Sequence, residues 1–241
     1  MKRSELPEKL FQDMKSVEPY PAMVVPVKEM IQMTGFFPGG LGLWLEKTSE
    51  KWPEILVIGQ DFSTEEKYIE MQEGKTCDLE TMTWRNLIRL FQEAGVEMEA
   101  CYFSNAFMGL RQTKSMTGKF PGFKDSAFVE RNQRFLEHQI VTIRPKTIVT
   151  LGKFAAELLS KLSDDLIDWH DNNALKVKYK GVIFGVRISD HVCTCVALEH
   201  PSMRFSNVKR REYKGQIGNN AEIEMIKSAL TEIKGGASCI V

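Results

Sequence analysis

Short apolar runs bounded by polar turns alternate in this chain with longer segments whose apolar residues recur every three or four positions. WPEILVIGQD at 52–61 predicts a strand opened by proline and closed by polar residues, and TMTWRNLIRLFQEAGV at 81–96 predicts an amphipathic helix with a glycine stop. CYFSNAF at 101–107 predicts a strand, SAFVERNQRFLEHQIVTIRP at 126–145 a helix closed by proline, and KTIVTLG at 146–152 a β-branched strand. GKFAAELLSKL at 152–162 predicts a further helix and KVKYKGVIFGVRI at 176–188 a strand or hairpin. CTCVALEHPS at 193–202 predicts the last core strand, and NAEIEMIKSALTEIK at 220–234 a closing helix. Strands separated by helices at this interval imply an α/β chain with a mostly parallel sheet covered on both faces. Residues 1–50, which include FFPGGLGLWL at 36–45, predict an N-terminal extension wrapped on a core of 51–235, with 236–241 as a tail.

Composition narrows this picture in two ways. A chain of 241 residues, 43% hydrophobic, has enough apolar surface for one sizeable core. Its 32 basic residues balance 32 acidic ones, so contact with a polyanion has to come from a local patch and not from a global field. The five cysteines are an odd number without a CxxC pair, which points to a reducing compartment and gives no metal site. Without an apolar signal core or an 18-residue apolar stretch, the expectation is a cytoplasmic protein with no membrane contact, acting as a monomer.

In a doubly wound parallel sheet the chemistry lies at the C-terminal ends of the strands. The residues predicted there are Gly59, Gln60 and Asp61, then Ser104 and Asn105, then Gly152 and Lys153, and finally His200, Pro201 and Ser202. Taken singly, each has an ordinary explanation: Asp61 as a cap, Asn105 in a turn, His200 as an edge histidine. Together, a carboxylate, an amide and an imidazole at successive strand ends can hold a polar planar ring and activate water. The chain then turns basic. Met203, Arg204 and Phe205 are followed by Lys209, Arg210, Arg211 and Lys214, which fits either an apolar wedge with phosphate-contacting neighbours or a solvated basic face. LRQTKSMTGKFPGFK at 110–124 is a second basic, glycine-bearing stretch suited to a lip on the same cleft.

In this order, GQD, SNAFMGLR, TIVTLGKFAA and HPS with its basic sequel resemble the uracil-DNA glycosylase superfamily over about residues 50–230. The resemblance implies a three-layer α/β/α sandwich with a short, mostly parallel sheet, and a pocket that receives a nucleobase flipped out of DNA. It assigns Asp61 to orient the attacking water, Asn105 to read the base edge, and His200 to stabilise the departing base. Gly59, Gln60, Phe62 and Ser202 fall around the substrate, with Phe62 or Tyr68 as an aromatic face for stacking. Met203, Arg204, Lys209, Arg210 and Arg211 fall at the DNA. Where the most studied branch has proline, tyrosine and histidine after the aspartate, this chain has Phe62, Ser63 and Thr64. The implied function is a cofactor-independent DNA glycosylase-like hydrolase that removes uracil or another deaminated or modified base. The alternative is a module that binds a nucleobase, nucleotide or modified nucleic acid without hydrolysis.

Overall fold

A computed structural model describes residues 1–45, 50–172, 174–175 and 180–235. The predicted segment 176–179 and the tail 236–241 lie outside the described residues. The central sheet has five strands: β1 (Ile55–Gly59), β2 (Cys101–Asn105), β3 (Thr147–Leu151), β4 (Val182–Ile188) and β5 (His191–Leu198). Their spatial order is β2, β1, β3, β5, β4. The first four in that order run parallel, and only the edge strand β4 is antiparallel, joined to β5 as a hairpin. The fold class is therefore the α/β arrangement expected from the alternation of runs.

Every residue of β1, β2 and β3 is buried. A strand buried on both faces has no solvent side and reads as a continuous apolar run, which is why the sequence shows ILVIG where a half-exposed strand would alternate. The pleat still sorts the side chains. Leu56, Ile58, Tyr102 and Ile148 enter one cluster with helices α4 (Ser126–Ile143) and α5 (Lys153–Ser160). Ile55, Val57, Phe103 and Val149 enter the other with α3 (Met82–Ala94) and the last helix, α6 (Asn219–Gly235). Two helical layers thus cover one sheet.

Three of the helices, α3, α4 and one further helix at Glu65–Gln72, begin where the sequence supplies a side-chain acceptor. Thr81 accepts from the Trp84 N–H and Asp125 from the Phe128 N–H. Sequence periodicity alone overlooked α1 (Leu6–Asp13) and α2 (Glu65–Gln72), each eight residues long. The local signal for α2 was Thr64 followed by Glu65 and Glu66, since Thr64 caps the helix by accepting from the Lys67 N–H and acidic residues suit a helix N-terminus.

The N-terminal segment completes the core. Leu6, Leu10 and Phe37 are fully buried in the cluster around α4. The Phe37 N–H donates to the Phe103 carbonyl and the Phe103 N–H to the Gly42 carbonyl, so residues 37–42 occupy the open edge of β2.

One half-buried carboxyl, Asp78, makes a testable contribution. The Trp84 Nε1–H donates to Asp78 Oδ2 at 2.5 Å, and burial lifts the Asp78 carboxyl from its ordinary 3.8 to about 6, against the effect of the Trp84 and Phe36 N–H donors. A carboxyl whose folded value is raised favours the native state below pH 4, and that contribution is lost as pH rises through about 6. Asp78→Asn retains an acceptor for Trp84 without the charge. Urea unfolding at pH 5 and pH 8 should show the substitution improving relative stability at the higher pH, by about 1.4 kcal/mol. An identical difference at both pH values would contradict this account of Asp78.

Candidate active site

The strand order reverses at β1, because the chain passes from β1 to β2 on one side and returns to β3 on the other. A crevice opens outside the strand ends at such a switch point. Asp61 follows β1 there, and Gly152 follows β3. Gly152 takes φ +85°, and a Cβ at this position would stand 3.1 Å from the His200 Cβ, so a glycine lets the β5 end approach closely.

His200 is held by its own turn. The Ser202 N–H donates to His200 Nδ1 at 3.3 Å, and the Ser202 hydroxyl lies 2.8 Å from the same nitrogen. A backbone N–H can only donate, so Nδ1 is an acceptor and the proton of the neutral ring sits on Nε2. Burial pushes the imidazole below its ordinary value, with the Asp61 charge opposing the shift. His200 is therefore a neutral ring whose Nε2–H is a donor, with Asp61 within electrostatic range.

The Asp61 carboxylate is gripped from one side. Arg111 Nε donates to Oδ1 at 2.8 Å and Arg111 Nη2 to Oδ2 at 2.7 Å. The Gln60 amide donates to Oδ2 at 2.7 Å and to the Gly118 carbonyl at 3.0 Å. Two carboxylate oxygens offer about four acceptor positions, so three donors leave roughly one, on Oδ1.

Asn105, buried at the end of β2, donates from Nδ2 to the Phe37 carbonyl at 2.9 Å. Its Oδ1 rests against Gly59, where a Cβ would come within 2.5 Å. The amide is thus oriented by the N-terminal segment and given room by a glycine. Phe62 is partly buried, packs on the Gly39 backbone and meets Tyr68 edge-on at 6.3 Å. Tyr68 itself is buried, and its hydroxyl donates to the Glu29 carbonyl, which commits it to packing and not to a base.

The segment after His-Pro-Ser divides into two sets. Met203 is 48% exposed and Phe205 89%, with Lys209 and Arg210 also exposed and the Lys209 ammonium 5.7 Å from the Phe205 ring. Arg204 and Arg211, expected at phosphates, are buried. Arg204 pairs with Glu222 and donates to Asn219 Oδ1 at 2.8 Å. Arg211 lies 3.3 Å from Glu222 and donates to the Leu175 and Ala197 carbonyls. Glu222 is 0% exposed, and a carboxylate so placed requires cations around it. These two arginines anchor the loop to α6, which corrects their assignment to DNA contact.

Arg111 was the principal residue missed. Its signal was a single arginine closing the apolar run AFMGLR, a context that buries the side chain and then demands a buried carboxylate.

The Uracil DNA glycosylase superfamily is matched over residues 53–221, which takes in Asp61, Asn105 and His200. The chain belongs to the Uracil DNA glycosylase superfamily. This membership supports a DNA glycosylase-like function in general terms, with DNA as the class of substrate. No curated protein matches the chain. The superfamily match begins at residue 53, so the Phe37 carbonyl that orients Asn105 comes from outside it. Among the described residues no helix is long and apolar enough to cross a membrane.

The two kinds of arginine and lysine in the loop should separate in urea unfolding. Arg204→Met or Arg211→Met leaves Glu222 short of a partner and should cost about 3–5 kcal/mol. Lys209→Ala and Arg210→Ala should stay within about 0.5 kcal/mol of the parent. Small effects at all four positions would contradict the anchoring role.

Proposed function

We propose that this member of the superfamily is a monofunctional DNA glycosylase that removes uracil or another deaminated or modified base. In the reaction the C1′–N bond breaks and its electron pair leaves with the base, a water oxygen bonds to C1′ and loses a proton, and the anionic base gains a proton from solvent, so that one water is consumed overall. The observation that carries the reading is the Ser202 N–H donating to His200 Nδ1, which leaves Nε2–H of the neutral ring as a donor within electrostatic range of Asp61. A preorganised neutral donor stabilises the negative charge that develops on a departing base, without prior protonation. The remaining acceptor position of Asp61 suits a water, and its charge favours the electron-poor sugar. Asn105 offers the base edge an amide whose orientation is set before binding. Met203 or Phe205 would enter the stack while Lys209 and Arg210 meet phosphates.

A second reading, binding of a nucleobase or damaged nucleic acid without hydrolysis, is favoured by the three donors already on Asp61. Single-turnover release of free base from uracil-, hypoxanthine-, xanthine- and hydroxymethyluracil-containing oligonucleotides distinguishes the two. The expected outcome is release from at least one substrate, reduced about 10²–10³-fold by His200→Ala. Tight binding of abasic duplex with no release from any of them would establish the binding module instead.

The basic pair gives an independent prediction. Lys209→Ala/Arg210→Ala should weaken DNA binding nearly uniformly across sequences and lower the slope of log affinity against log salt by up to about 0.9 per residue on duplex. An unchanged slope would place both side chains away from phosphate.

A further inference from the structure

Arg111 is 3% exposed and ends a two-residue strand, Leu110–Arg111, that pairs with Val24–Val25. Its backbone N–H donates to the Ser63 carbonyl, so its position is set by the chain that directly follows Asp61. Four hydrogen bonds leave the guanidinium. Two go to Asp61, and two go to main-chain carbonyls of the following segment, Nη1 to Thr117 at 3.1 Å and Nη2 to Gly118 at 2.9 Å. Gln60 closes the same loop by bridging Asp61 and Gly118. The stretch 112–119 otherwise stands largely in solvent, with Lys114, Met116 and Lys119 exposed.

A buried ion pair adds little stability over a well-packed apolar pair, so its value lies in geometry. The planar fork of arginine fixes the plane of a carboxylate, which an ammonium cannot do. Here the plane that fixes Asp61 is itself fixed by the carbonyls of 117 and 118. We infer that Arg111 is a positioning residue that joins segment 112–119 to Asp61, so that the placement of this exposed basic segment and the direction of the free Oδ1 acceptor position are set together. The inference rests on the reading of Asp61 as the carboxylate that orients water.

Arg111→Lys keeps the charge and loses the fork, which makes it the informative variant. Single-turnover rates and dissociation constants on the same oligonucleotide should show a rate lower by about 10²-fold, the scale of a small misplacement, with affinity within about twofold. Amide hydrogen exchange at 113–119 should become faster in the variant. Arg111→Ala leaves Asp61 without its partner, and millimolar methylguanidinium should restore part of its rate while leaving Asp61→Asn unaffected. A parental rate in Arg111→Lys, or rate and affinity falling together with thermal stability, would overturn the positioning role. If the parent protein releases no base at all, the glycosylase reading falls separately. Unchanged exchange at 113–119 in Arg111→Lys would then still refute the link.

Discussion

The cost of burying charge governs the C-terminal edge of this sheet. β1, β2 and β3 are buried along their whole length, so a polar side chain at their ends has little water to turn to and must be satisfied by protein. Asp61 meets that demand through Arg111 and Gln60, Asn105 through the Phe37 carbonyl, and Glu222 through Arg204 and Arg211. Each solution also fixes an orientation. Preorganisation of the polar groups at this edge is therefore a direct consequence of keeping buried polar groups paired.

The N-terminal segment acts at the same edge from the other side. By bonding to Phe103, residues 37–42 cover a sheet edge that would otherwise be open to pairing with another chain. The same stretch supplies the carbonyl that holds Asn105 and the Gly39 surface on which Phe62 packs. Fold protection and site geometry are thus delivered by one segment, and it precedes the part of the chain matched to the superfamily.

A division of labour follows in the loop after β5. Two arginines give up contact with solvent to hold Glu222, and this fastens the loop to α6. With the loop held there, Met203 and Phe205 remain exposed on a fixed base, with Lys209 and Arg210 beside them. An apolar side chain displayed in this way keeps less conformational freedom than one on a mobile loop, which reduces the entropy lost on contact with a partner.

The layer order and the parallel sheet were legible in the sequence, because a strand buried on both faces must be an unbroken apolar run and a covering helix must show a three-to-four residue period. Gly-Gln-Asp, the asparagine of β2 and His-Pro-Ser were legible for a related reason: polar residues that abruptly end such runs fall at strand ends. Which partner each charge would take was not legible. Arg204, Lys209, Arg210 and Arg211 look alike as a basic cluster, yet two are interior and two are solvated, because Glu222 comes from a helix that folds back beside the first and last of them. Arg111 meets Asp61 across 50 positions of chain, and Phe37 meets Asn105 across 68. Local pattern determines which face a residue presents and when an element ends. The pairing of buried polar groups depends on contacts between distant segments, and only the tertiary structure decided it.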